Sequence, residues 1–110
     1  MKTIQLGEFE EVVLLTVGIL HGNAYAITVK DELETRLHRE VSIGALQVTL
    51  RRLESKGFVK SKTGETSEAR RGRPKLFFEM TAYGKKAIVF TRESRNELWN
   101  ALPRVVLGLD

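Results

Sequence analysis

The segment from Val41 to Ser61, VSIGALQVTLRRLESKGFVKS, limits the possible folds more than any other part of the chain. At 100° per residue its large apolar side chains fall on one side, which predicts a helix packed against a core. These side chains are Ile43, Leu46, Leu50 and Leu53. The opposite side begins with small residues and ends with cations, an unusual pattern for a helix face that meets only water. That side holds Gly44, Ala45, Val48, Arg51, Arg52 and Ser55, with Gln47 and Thr49 on the flanks.

Three more helices are predicted from periodicity and capping residues. The first runs from about Leu6 to Leu20, and glutamates in its opening turns suit the positive end of the helix dipole. The second covers about residues 24–37, with Asn23 as its N-cap. Ser42 is the expected N-cap of the central helix, and Thr81 is that of a last helix of about twenty residues.

Between the central and last helices the pattern changes to strand and turn. FVKSKT and KLFFEMT read as two strands, and GETSEARRGRP between them reads as a polar turn. Together they predict a two-stranded ribbon with a basic tip over residues 64–75. The positive charge is concentrated here, because residues 51–86 hold eleven Lys or Arg and four Glu, whereas the whole chain has a net charge of +4. Such a patch favours a nucleic-acid partner.

The order helix, helix, turn, helix, basic ribbon is typical of a winged helix-turn-helix. We therefore predict a mainly α fold with a small β-ribbon. Residues 1–80 would form the DNA-binding part, and residues 81–110 a C-terminal dimerisation helix and tail, all within one compact domain. In this arrangement the helix over residues 42–56 enters the major groove of duplex DNA.

Small residues near the start of such a helix let its backbone approach the base edges, and cations further along bind phosphate. The predicted base-facing set is Ser42, Ala45, Gln47, Val48 and Thr49, and the predicted phosphate contacts are Arg51 and Arg52. Gly44 is also predicted to lie on the DNA-binding surface. The ribbon tip adds Arg70, Arg71, Arg73 and Lys75. The competing interpretation is that these side chains are only solvated surface.

The two terminal helices predict a homodimer. The first is apolar on nearly every side, and the last has an apolar stripe too broad for a small three-helix core. The predicted interface comprises Phe9, Val13, Ala87, Ile88, Thr91, Leu98 and Leu102. The alternative is that the last helix folds back over its own domain.

Several classes of protein are disfavoured. The chain has no cysteine, its two histidines lie at helix ends, and it has no metal-binding or phosphate-cradling motif, so we expect no metal, no cofactor and no enzymatic activity. No apolar run approaches the length of a membrane span, and acidic residues precede the first apolar helix, so we expect a cytoplasmic protein without a membrane partner.

Four segments resemble the PadR family of bacterial transcriptional regulators: LGEFEEVVLLTVGIL, AYAITVKDELE, VSIGALQVTLRRLESKGFV and RRGRPKLFFEMTAYGKKA. The resemblance covers Leu6 to about Ala87. It implies a homodimeric repressor that responds to a small aromatic or amphipathic effector, in the branch with a single C-terminal helix. It also implies that Trp99, the only tryptophan, is the candidate effector contact. The alternative is that Trp99 only packs in the dimer interface.

The chain departs from the family pattern at three places. Gln47 stands where the family usually has tyrosine, Val48 where proline often follows, and Phe77 or Phe78 where a strand tyrosine is usual. Gln47 therefore becomes the residue to test for base contact. Two other classes of function compete with this reading. One is a winged helix that binds a protein or RNA, and the other, weaker one is an enzyme, for which no convergent set of titratable residues exists.

Overall fold

The computed structural model describes residues 4–66 and 74–109. Its elements are α1 Glu8–Ile19, α2 Ala26–Leu37, α3 Ile43–Ser55, β1 Val59–Thr66, β2 Pro74–Met80, α4 Ala82–Ala101 and a short 3₁₀ turn Arg104–Leu107. The predicted class, mainly helical with one small ribbon, is confirmed. The predicted boundaries of the four helices differ from these by at most two residues at each end.

The core lies where α1, α2 and α3 meet the base of the ribbon. Each element contributes side chains that are almost completely buried: Leu14 and Val17 from α1, Val29 and Leu33 from α2, Leu46, Leu50 and Leu53 from α3, and Phe58, Val59 and Phe78 from the ribbon. Burial of one such side chain contributes roughly 1.5–3 kcal/mol. This core fixes the orientation of α3, because its leucines hold one face of the helix against the other two helices.

Two of the three predicted N-caps are confirmed. The Ser42 hydroxyl accepts a hydrogen bond from the backbone N–H of Ala45 at 3.2 Å, and the Thr81 hydroxyl accepts one from Gly84 at 2.9 Å. The prediction for Asn23 was wrong. Tyr25 is the N-cap of α2, and the Asn23 carbonyl instead accepts a hydrogen bond from the Thr28 hydroxyl at 2.7 Å.

Strands β1 and β2 pair antiparallel in a regular register from Val59 opposite Met80 to Thr63 opposite Leu76. The register shifts between Thr63 and Thr66, just before the tip of the ribbon. The backbone N–H of Phe78 also donates to the carbonyl of Ala24 at 2.8 Å, beside the start of α2. The ribbon is therefore anchored to the helices at its base.

The second half of α4 is exposed, and its Arg95 donates two hydrogen bonds to Glu11 of α1, at 3.1 and 2.7 Å. Every residue from 92 to 109 is exposed, and the molecule measures 60 × 36 × 21 Å with a radius of gyration of 16.6 Å. A compact domain of this length has a radius of gyration of about 13 Å. The molecule is therefore more elongated than a compact domain of this length.

The described residues contain no helix that is both long enough and apolar enough to cross a bilayer.

Candidate nucleic-acid interface

A carboxylate fixes the turn that precedes α3. The backbone N–H of Val41 donates to Glu34 at 2.8 Å, and the Lys30 ammonium donates to the other oxygen of the same carboxylate at 3.0 Å. The pKa of Glu34 is lowered by the Val41 N–H and then by Lys30. Because Glu34 belongs to α2, this contact sets the angle at which the chain enters α3.

A second carboxylate holds the far end of α3. The Lys56 ammonium lies 2.9 and 2.8 Å from the two carboxylate oxygens of Glu10 in α1, and Glu10 is buried, with 6% of its surface exposed. Burial alone raises the pKa of Glu10, but the Lys56 hydrogen bond, the Gly7 N–H and the positive charges of Lys56 and Arg52 together hold that pKa below its ordinary value. The carboxylate is therefore ionised at neutral pH and α3 is tied to α1.

A third carboxylate joins α3 to the ribbon. Glu54 accepts hydrogen bonds from the hydroxyl of Ser61 at 2.6 Å and from its backbone N–H at 3.2 Å. Sequence patterns did not identify Glu34, Glu10 or Glu54, since their partners are distant in the chain or belong to the backbone.

Most of the side chains predicted to face DNA lie on one exposed side of α3. The exposed residues are Ser42, Gly44, Ala45, Gln47, Val48, Arg51 and Arg52. Val48 has 55% of its surface exposed, although it is apolar and no described part of the chain covers it. The side chains on this exposed side are small and uncharged at the start of the helix, and cationic towards its end.

Two residues of α3 depart from their predicted positions. Thr49 is buried, with 6% of its surface exposed, so its side chain is removed from the predicted DNA-facing set. At 100° per residue its helical angle lies about 40° from that of Leu53, which packs in the core. Ile43 was predicted to face the core, but 37% of it is exposed because it stands at the first helical position, beyond the main contacts of the helix.

The ribbon brings one predicted contact, Lys75, towards α2. Its ammonium lies 4.5 Å from the centre of the Tyr25 ring and 3.3 Å from the Tyr25 hydroxyl oxygen. No sequence signal indicated this contact. The other predicted wing residues, Arg70, Arg71 and Arg73, lie outside the described residues.

The predicted dimer surface divides into buried and exposed residues. Val13 and Ala87 have no exposed surface because they pack in the core of their own chain, so their predicted role in contacting a second chain was wrong. Phe9, Ile88 and Thr91 are half-buried, and Leu98 and Leu102 are exposed.

Trp99 lies on the exposed part of α4, with 61% of its surface accessible. It borders a shallow, open depression of about 610 Å³ that also includes Leu98, Leu102 and the Glu11–Arg95 ion pair. Within the described part of the chain, no three His, Asp or Glu side chains converge as metal ligands would.

The sequence matches the PadR-like family of transcriptional regulators over residues 14–89, from the middle of α1 to the first half of α4. The chain belongs to this family. PadR-like proteins are DNA-binding transcriptional regulators, not enzymes, and the exposed side of α3 therefore belongs to a winged helix-turn-helix of that kind. No curated protein sequence matches the chain significantly.

Several solved structures have the same fold as this chain. RosR from H. salinarum is 25% identical, with a TM-score of 0.69, and the match covers 90% of this chain and 82% of RosR. A complex structure of hsRosR-S1 is 27% identical, with a TM-score of 0.69, and covers 88% of this chain and 79% of that one. A PadR family regulator from Eggerthella lenta is 19% identical, with a TM-score of 0.70 over 90% and 86% of the two chains. RosR is archaeal, so the likeness to these structures does not assign a bacterial source.

Proposed function

We propose that this protein is a homodimeric repressor that binds a near-palindromic operator. The exposed side of α3 enters the major groove, and the wing over residues 64–75 contacts the adjacent backbone. The observation that carries the proposal is the surface of α3, on which small side chains precede Arg51 and Arg52 while three carboxylates hold the helix in place.

The roles of individual residues follow from their exposure and chemistry. Ser42, Gly44 and Ala45 let the backbone approach the base edges, and Val48 contacts a thymine methyl. Gln47 offers an amide that pairs with adenine through two hydrogen bonds. Arg51 and Arg52 bind phosphates and position the helix without reading sequence.

The α4 surface supports the dimeric part of the proposal. Leu98, Trp99 and Leu102 form an exposed apolar surface on the second half of α4. In a dimer joined there, two α3 helices would lie about 34 Å apart, one turn of duplex DNA. The division into a DNA-binding part before residue 81 and a dimerisation part after it follows from this arrangement.

A small effector bound near Trp99 at the dimer interface would change the separation of the two α3 helices and release the operator. The support for this step is the position of Trp99 on the same apolar surface.

Substitutions on α3 test the DNA-binding proposal. Arg51→Ala should weaken binding to all sequences alike and reduce the slope of log K against log salt by about one, because one phosphate contact is lost.

Gln47→Ala should reduce the binding free energy by about 1–3 kcal/mol at a single base position and relax specificity there. Mobility-shift titrations against the region upstream of the gene and against shuffled duplexes measure both effects.

Lys85→Ala removes an exposed cation from α4 and is the matched control, with no expected loss of affinity. Equal binding of upstream and shuffled duplexes by the unaltered protein would contradict sequence-specific regulation. Binding of single-stranded RNA or an acidic protein in preference to a duplex would instead favour the alternative, a winged helix that serves as an interaction module.

A further inference from the structure

A cleft of about 310 Å³ lies between the start of α2, the exposed side of α3 and the strand β2. This volume is at the lower end of the range for small-molecule sites in proteins, about 300–1,000 Å³. The cleft is separate from the depression beside Trp99, because the two share no lining residue.

Three aliphatic side chains from three different elements line this cleft. Ile27 of α2, Ile43 of α3 and Leu76 of β2 have 49%, 37% and 46% of their surfaces exposed. Tyr25 and Phe78 add aromatic surface. Contacts to a DNA backbone are made by cations and hydrogen-bond donors and need no such apolar lining. The lining instead fits a ligand with an apolar body, which would bury these exposed carbons.

The charges in the cleft are all positive. Arg51 and Lys75 line it, and no Asp or Glu does. Neither cation forms an ion pair within residues 4–66 and 74–109. The Tyr25 ring and hydroxyl position the Lys75 ammonium, at 4.5 and 3.3 Å. Two cations without carboxylate partners favour an anionic group on the ligand.

We infer that this cleft binds a small organic anion with an apolar body. Its carboxylate or sulfonate lies between Arg51 and Lys75, and its body packs against Ile27, Ile43 and Leu76. Arg51 also belongs to the proposed DNA-binding side of α3, so the anion and the duplex compete directly for one surface. Only this competition rests on the proposed function; the binding of the anion does not.

The test is an NMR titration of the full-length protein with 4-phenylbutyrate in the absence of DNA. We expect saturable shifts of the amides of Tyr25, Ile27, Ile43 and Leu76, and none centred on Trp99. The amine 4-phenylbutylamine has the same body with the opposite charge, and inorganic phosphate has the charge without the body. Neither should produce these shifts. No saturable shift with 4-phenylbutyrate, shifts centred on Trp99, or equal binding of either control ligand would overturn the inference.

Two variants test the charge. Lys75→Gln should weaken 4-phenylbutyrate about tenfold, the effect of losing one charge-assisted hydrogen bond. Lys86→Gln, which removes an exposed lysine from α4, should leave the affinity unchanged. The dispersion of the amide spectrum confirms that both variants are folded. An unchanged affinity in Lys75→Gln would overturn the proposed position of the anion.

Adding an operator duplex separates this inference from the proposed function. Saturating 4-phenylbutyrate should release the duplex from the protein. If the protein binds 4-phenylbutyrate in the cleft but binds no duplex, the proposed function fails and the anion site stands. If it binds the duplex and not 4-phenylbutyrate, the anion site fails alone. A duplex that stays bound to the anion-saturated protein would overturn the competition.

Discussion

At the scale of single residues, two helical glycines are constrained in opposite ways. A Cβ atom on Gly84 would lie 2.1 Å from the carbonyl oxygen of Phe58, because the first turn of α4 packs directly on the backbone that leads into β1. A Cβ atom on Gly44 would meet only the Ser42 hydroxyl oxygen, at 3.7 Å. The first glycine is required by packing, whereas the second leaves space on the outer side of α3.

These positions predict opposite effects of the same substitution. Gly84→Ala should lower the free energy of unfolding by about 1–3 kcal/mol, because the backbone must shift to admit the methyl group. Gly44→Ala should raise it by up to about 1 kcal/mol, since alanine is the better helix former. Urea unfolding followed by circular dichroism measures both. A Gly84→Ala protein as stable as the parent would contradict the close approach of α4.

At the scale of elements, α3 is held by three carboxylate contacts, two from neighbouring helices and one from its own Glu54. Glu34 fixes the turn before it, Glu10 binds Lys56 at its C-terminus, and Glu54 joins it to the ribbon. Among these three carboxylates, that of Glu10 is the most buried. Removal of the lysine therefore leaves a buried carboxylate without its charged partner.

We expect Lys56→Met to lower the free energy of unfolding by about 2–3 kcal/mol at pH 7. Lys60→Met is the matched control, because Lys60 and Glu79 are 3.8 Å apart and both are well exposed. Such a surface pair contributes about 0–1 kcal/mol. Equal losses in the two variants would contradict the special role of the buried pair.

The lowered pKa of Glu10 gives the same pair a defined pH dependence. A carboxyl whose folded pKa lies below its ordinary value of 4.5 contributes stability that is complete above that value. The contribution is lost as the pH falls through the folded pKa. Glu10→Gln should therefore show a flatter decline of unfolding free energy below about pH 4.5 than the parent. Denaturant titrations from pH 7 to 3 measure the decline, and parallel curves for the two proteins would contradict this assignment.

At the scale of the whole molecule, no part of the chain within residues 4–66 and 74–109 buries the apolar side chains at the end of α4. Leu98 is the most exposed large apolar residue of α4, at 73%. We expect Leu98→Asp to convert the proposed dimer to a monomer, because a buried charge at an apolar interface has no partner there. Analytical ultracentrifugation measures the change, and operator affinity should fall with it.

The control is Leu37→Asp, at an exposed apolar residue at the end of α2, away from α4. This variant should keep the oligomeric state of the parent. A dimer that persists in Leu98→Asp, or a parent protein that is already monomeric, would contradict the proposed role of the α4 surface.

Local patterns were sufficient to predict the elements and the exposed side of α3. Apolar spacing and capping hydroxyls act over three or four residues, so the four helices and the caps at Ser42 and Thr81 were predicted correctly. The cap at Asn23 was wrong because the turn after α1 is organised by Thr28, whose hydroxyl reaches back to the Asn23 carbonyl.

The order of the elements could be predicted from the sequence, and so could the side of α3 on which small residues precede cations. Both depend on residues that are close together in the chain. The burial of Thr49, Val13 and Ala87 could not be predicted in this way, since it depends on which helices pack together. The contacts of Glu10 with Lys56 and of Tyr25 with Lys75 could not be predicted either, because they join residues 46 and 50 positions apart in the sequence. Periodicity assigns a side chain to a face of its own helix, and the packing of the folded chain determines what that face meets.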